Sequence, residues 1–158
     1  MSIQIREMRP EDANAKGFVH HKTWEETYTG LMDAQYIRSQ TLERCQEIAR
    51  RWPENTLVVE LNGTIIGFSC YGRQDDQGEV IAIYLLKEVQ GLGIGRQLMD
   101  FTMTYLRGCT EISLWVLEGN DHAIGFYTHY GFHLDGTYQD TRVGRKLRMV
   151  YSRNGACL

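Results

Sequence analysis

The chain has 158 residues, 42% hydrophobic and 23% charged, with a formal charge of −3 at pH 7. That length suits one domain, 1–158, with a core of its own, and the negative balance is the wrong sign for a general nucleic-acid binder. No apolar run approaches the ~20 residues that cross a bilayer, and the charged opening "MSIQIREMRPED" lacks the apolar core of a secretion signal, so a cytoplasmic protein is expected.

Ile3 to Met8 alternates as a short strand, and Pro10-Glu11-Asp12 resembles the acidic first turn of a helix that should run to about Tyr28. After the Thr29-Gly30 break, Asp33 to Ser39 and Leu42 to Arg51 predict two short helical pieces. Thr56 to Leu61 and Thr64 to Tyr71 flank Asn62-Gly63, the pair that tolerates the positive φ angles of a two-residue hairpin turn. Gln74 to Gly78 reads as a polar turn, and "EVIAIYLL" as a strand too apolar for an exposed edge. The next helix carries Ile94, Leu98, Phe101 and Tyr105 at the spacing of one face, and Gly108 ends it. Ile112 to Leu117 is a strand, Asn120 to Tyr130 a helix capped by Gly131, and Phe132 to Tyr138 and Lys146 to Tyr151 are closing strands.

Cys45, Cys70, Cys109 and Cys157 form no CxxC pair and the histidines form no HExxH, so no metal or dithiol site is expected. His20 and His21 point different ways on a helix and read as surface or core residues.

The costly feature is Gln90-Gly91-Leu92-Gly93-Ile94-Gly95-Arg96, three alternate glycines between a strand and a helix, both of which glycine weakens. A glycine-rich turn into a helix aims several backbone N–H groups at one spot, where the helix dipole favours an anion. This predicts a phosphate cradle, with Arg96 as an added cation. A tight turn packed on a neighbour would need one glycine. The lysine and hydroxyl that follow a P-loop are missing, since Arg96 and Gln97 stand there. The dinucleotide fingerprint starts at the end of its strand, whereas six residues intervene here; with Glu118 as a ribose-binding acid it remains a competitor, as an NAD(P)-dependent oxidoreductase.

The Gln90 to Gly95 stretch resembles the Q/R-x-x-G-x-G/A diphosphate loop of the GNAT superfamily of acetyl-CoA-dependent N-acetyltransferases. "NDHAIGFYTHYGF" resembles that family's next motif, with Asn120, Ala123, Phe126, Tyr127, Gly131 and Phe132 in place. The resemblance implies an α/β (α+β) fold: a central mixed, mostly antiparallel sheet of about six or seven strands, flanked by helices and splayed at the cofactor site. It implies a transferase carrying acetyl from acetyl-CoA to a primary amine (a small amine, polyamine, antibiotic or protein amine) by direct attack in a ternary complex, with no metal. A homodimer is common in the family. The residues implied for the cofactor are Tyr84, Leu85 and Leu86 for the pantetheine arm, Gln90 to Arg96 for the diphosphate, and Asn120. Leu85 corresponds to the residue whose N–H polarises the thioester carbonyl, Tyr127 to the acid that protonates the leaving thiolate, and Glu79 to the base of histone-acetyltransferase-like members. A regulatory module that binds CoA without turnover is a further alternative.

Trp24 and Tyr28, four apart with Glu25 and Glu26 between them, could form an aromatic and acidic wall for a cationic acceptor, although core packing and solvation explain them equally. Arg142, Arg145, Lys146, Arg148 and Arg153 gather charge near the C-terminus, as a solvated hairpin face or a contact for an acidic acceptor or second subunit.

Overall fold

A computed structural model describes residues 2–152. Seven strands form one sheet: β1 (Ile3–Glu7), β2 (Thr56–Leu61), β3 (Thr64–Gln74), β4 (Gln77–Leu85), β5 (Glu111–Leu117), β6 (Phe132–Thr141) and β7 (Gly144–Tyr151). They lie in the order β1-β2-β3-β4-β5-β7-β6, antiparallel except for β4 beside β5. The helices are α1 (Ala13–Tyr28), α2 (Ala34–Ser39), α3 (Leu42–Arg51), α4 (Ile94–Tyr105) and α5 (Asp121–Tyr130). The predicted succession of elements is therefore the observed one.

The Asn-Gly turn forms as expected, with Asn62 at φ 52° and Gly63 at φ 87°. The next turn is tighter than Gln74 to Gly78: Gln74 pairs with Gln77, and Asp75 takes the left-handed conformation at φ 56°. Asp33 and Thr41 cap α2 and α3 by accepting hydrogen bonds from Tyr36 N and Arg44 N, both at 3.1 Å. A Cβ on Gly17 would lie 2.6 Å from the Cα of Gln46, so the bare glycine lets α1 and α3 approach closely.

On α4 the buried face is Ile94, Leu98, Met99 and Thr102, with Leu106 just past its end. Phe101 is 46% exposed and Tyr105 lies at the surface, a correction to the predicted face. Tyr105 instead stacks on Tyr71 and donates to Glu7 at 2.9 Å, because its phenol can reach water while its ring covers the sheet.

Arg6 of β1 ties the start of α1 to the sheet. Its guanidinium donates to both oxygens of Asp12, at 2.8 and 3.0 Å, and to Glu60 of β2 at 2.9 Å. Asp12 also accepts from Arg9 N at 2.7 Å. The hydrogen bond from Arg6 holds the Asp12 carboxyl below its ordinary range against the opposing effect of burial.

Two irregularities of β4 open the sheet. Its parallel pairing with β5 covers only Gln77 to Glu79 against Glu111 to Ser113, after which the strands part. Its register with β3 slips by one residue between Val80 and Ala82, a bulge at Ile81 that bends the strand. Two hydrophobic clusters sit on either side of the parting, one around Phe68, Val59 and Ile94, the other around Leu114, Phe132 and Met149.

Candidate active site

The parted strands open a cleft of about 990 Å³. One wall is the free edge of β4. Leu86 N donates to Ile66 O at 3.0 Å, and antiparallel pairs alternate, so the main-chain groups of Ala82, Tyr84 and Leu86 turn toward β3 while those of Ile83 and Leu85 turn to the cleft. Leu85 keeps the orientation expected of it. The amides of Leu86 and Tyr84 do not: they belong to the sheet, and Leu86 does not line the cleft. Sequence reasoning missed Ile83; the slip at Ile81, unreadable in the sequence, sets which residues face outward.

At the end of this edge the glycine loop enters α4. Gly91 and Gly93 lie at φ 80° and 82°, and a Cβ on either would meet nothing within 4 Å, so both are required by backbone conformation. Gly95 has a different reason: its Cβ would stand 3.2 Å from Phe126 Cε1 and 3.5 Å from Leu85 Cδ1. Three glycines thus serve two purposes, and close packing accounts for one of them.

Among the described residues, the amides of Gly91, Leu92, Gly93, Ile94, Gly95 and Arg96 have no hydrogen-bond partner. Gln90 is a correction: its N–H donates to Lys87 O at 3.2 Å, and its side chain braces the carbonyl of Leu85 at 3.1 Å. Leu92 turns its side chain to solvent and Ile94 buries its own in the core, so each offers only main chain. Arg96 lines the cleft with its guanidinium over the Tyr130 ring at 5.4 Å. These unpaired amides at a helix N-terminus fit a diphosphate.

Because Gly93 needs a left-handed conformation, Gly93→Ala should cost about 1–2 kcal/mol of stability through backbone strain. On the expectation that this loop holds the diphosphate of CoA, as the resemblance implies, it should also raise the KM for acetyl-CoA more than it lowers kcat. Urea titration and steady-state kinetics measure both; an unchanged KM would take the loop out of cofactor binding.

On the opposite wall, α5 begins at Asn120, whose Oδ1 caps the helix by accepting from Ala123 N at 3.3 Å while the residue also lines the cleft. Tyr127, two turns on, packs edge-to-face against Phe126 and Phe132 at 5.6 and 6.0 Å. Its hydroxyl has no hydrogen-bond partner among the described residues, and burial first, then the neighbouring Tyr28, pushes its pKa well above the ordinary phenol value.

Trp24 and Tyr28 line the cleft as expected, edge-to-face at 4.8 Å, and the Tyr28 and Tyr84 hydroxyls share a hydrogen bond of 3.0 Å. The acidic half of that wall is a correction. Glu25 is exposed outside the cleft, and Glu26 accepts from Lys87 N at 3.2 Å. His20 is a core residue above Phe68; burial, then Lys16 and His21, lower its pKa to about 4 and keep it neutral. Glu79 lines the cleft at its floor, where β4 and β5 are still paired. Of the basic cluster, Arg145 pairs with Asp140, Arg148 pairs with Glu111 and Asp135, and Arg153 lies outside the described residues. No group of three potential metal ligands occurs among the described residues. No helix among them is long and apolar enough to cross a membrane.

A family model matches residues 18–132, most of the chain, and its description is the acetyltransferase (GNAT) family. The chain belongs to that family. It is an acetyl-CoA-dependent N-acetyltransferase, which retires the dinucleotide reading of the glycines. Among GNAT relatives, a probable N-acetyltransferase of Mycobacterium tuberculosis is 28% identical over 144 residues, 85% of this chain and 82% of that one. A spermidine N(1)-acetyltransferase of Thermoplasma acidophilum is 28% identical over 149 residues, 87% of this chain and 92% of its own. The PaiA N-acetyltransferase of the same organism, solved in complex with coenzyme A, superimposes with a TM-score of 0.80 at 26% identity, covering 96% of this chain and 99% of that one. The GNAT fold with its parted strands is therefore shared over nearly the whole length.

Proposed function

We propose that this single domain acetylates a primary amine by direct attack within a ternary complex. The observation that carries the reading is the run of unpaired amides from Gly91 to Arg96, continuous with the free edge of β4 and leading to the hydroxyl of Tyr127. Acetyl-CoA supplies an acetyl group already activated as a thioester.

In this reading the loop amides and Arg96 hold the diphosphate, and Leu85 with Asn120 holds the pantetheine arm. The arm is long, so the thioester carbonyl falls deeper along β4 than Leu85, and we give the polarising N–H to Ile83, the next residue facing the gap. Such a fixed donor is worth about 3 kcal/mol when it tightens only in the transition state. Glu79 takes a proton from the acceptor ammonium, directly or through water, because an amine of pKa ~10 is otherwise protonated at neutral pH. Tyr127 gives its proton to the departing sulfur. Cys45, Cys70 and Cys109 are free thiols, which fits a reducing cytoplasm.

Spermidine, the acceptor in the Thermoplasma relative's name, belongs in the acceptor screen beside simple alkylamines. Glu79→Gln should lower kcat/KM for the amine about 100-fold at pH 7, with the deficit shrinking toward pH 9 as free amine accumulates. Thiol release from acetyl-CoA measures this. A ratio that stays flat with pH would remove the base role, and no release with any amine would leave only CoA binding.

A further inference from the structure

The acceptor side of the cleft carries two opposite charges that nothing among the described residues neutralises. Residues directly opposite in a sheet share a face, and so do alternate residues along a strand. Glu79 is opposite Ser113, Ser113 and Leu117 lie on one face of β5 with Trp115 between them, and Leu117 is opposite Lys146. Glu79, Trp115 and Lys146 therefore stand on one face of the sheet. The other face of β5 packs Ile112, Leu114 and Val116 into the cluster that includes Met99 and Phe126, so Glu79, Trp115 and Lys146 face away from α4 and α5. All three line the cleft, below the aromatic wall of Trp24, Tyr28 and Tyr36.

The charges at this end differ in how they are occupied. Arg148, on the same face, already has Glu111 and Asp135. Glu26 is bonded to Lys87 N, and Asp33 caps α2. The side chains of Glu79 and Lys146 have neither an ion pair nor a hydrogen bond among the described residues, although both residues are half-buried. The other charged residues lining the cleft, Arg96 and Asp121, belong to the cofactor side on α4 and α5.

We infer that the acceptor is a small amine bearing a remote carboxylate: its ammonium meets Glu79, its chain lies over Trp115 and its carboxylate meets Lys146. This rests on the proposed function and narrows its acceptor. The four steps from Ser113 to Leu117 span roughly 13 Å at strand rise, and Glu79 and Lys146 lie one strand to either side of β5, so their Cα atoms stand roughly 16 Å apart. That separation keeps the two ligand charges several bonds apart and not on one carbon. A diamine of the same length would place its second ammonium against Lys146, and like-charge contact is the stronger discriminator.

The test compares kcat/KM for three acceptors of matched length: 6-aminohexanoate, 1,6-diaminohexane and hexylamine. The wild-type protein should prefer 6-aminohexanoate to the diamine by about tenfold or more, with hexylamine between. Lys146→Ala should bring the three together, and Lys146→Glu should put the diamine first. A wild-type preference for the diamine, or a preference for 6-aminohexanoate that survives Lys146→Ala, would overturn the inference. So would failure to acetylate any of the three. The rise in Tm on adding CoA, with thiol release in the wider amine screen, then shows whether the proposed function falls too: both survive if only this acceptor assignment is wrong.

Discussion

Tyr127→Phe is expected to lower kcat about 100-fold at saturating acetyl-CoA and to leave the KM for acetyl-CoA nearly unchanged. The substitution removes one oxygen and keeps the ring that packs edge-to-face on Phe126 and Phe132, so the wall of the cleft stays in place. What it removes is a hydroxyl with no partner among the described residues, held protonated because burial opposes the phenolate. A proton donor to departing thiolate is needed only as the carbon–sulfur bond breaks, which places the loss in kcat. The raised pKa also fixes the pH behaviour. The phenol keeps its proton throughout the neutral range, so the ratio of wild-type to variant rates should stay level between pH ~6 and ~9, while both rise as the amine deprotonates. An unchanged kcat would leave Tyr127 as a packing residue alone.

Arg6→Met is expected to cost about 3 kcal/mol of folding stability, the lower end for breaking a buried ion pair by removing one partner. Asp12 and Glu60 would be left facing each other with side chains only 9% and 20% exposed. For a chain of this length that lowers Tm by roughly 6–12 °C. The network lies on β1, β2 and the start of α1, away from the cleft, so kcat of the folded variant should be unaffected. Asp12 adds a pH signature. Its folded pKa is depressed, so its contribution is present above the unfolded carboxylate value of about 4 and is lost as pH falls through the folded one. The wild-type advantage over Arg6→Met in urea midpoint should therefore shrink below about pH 4. A gap that persists unchanged in acid would mean the loss came from packing of the Arg6 stem and not from its charge.

The sequence made the elements legible where local chemistry decides them. Asn62-Gly63 names its turn, the stretches from Asp33 and from Leu42 name two short helices, and the glycines around Gly93 name a loop with exposed amides. The family's two motifs singled out Tyr127 and the glycine loop, and the structure brings both to one cleft. Where the sequence misled, a tertiary partner had the deciding role. Gly95 looks like its two neighbours in the chain, yet it is fixed by Phe126, thirty-one residues away. Glu25 and Glu26 share a helix with Trp24 and Tyr28, yet Glu25 turns to solvent and Glu26 is taken up by the main chain of Lys87. The slip at Ile81 exchanges which residues of β4 offer their amides, and no residue type announces it. Lys146 is one of several basic residues in the chain, and only the pairing of Arg145 and Arg148 with their own carboxylates sets it apart.

The short parallel contact at Gln77 to Glu79 also bears on how this protein holds together without its substrate. Three residues of ladder join two half-sheets, and beyond them the facing main-chain groups of β4 and β5 are not paired with each other. A pantetheine laid between them would act as a missing strand, mortar between two bricks. Amide exchange in β5 and β7 should then slow on adding CoA, although no residue of β7 is among the proposed contacts of the coenzyme.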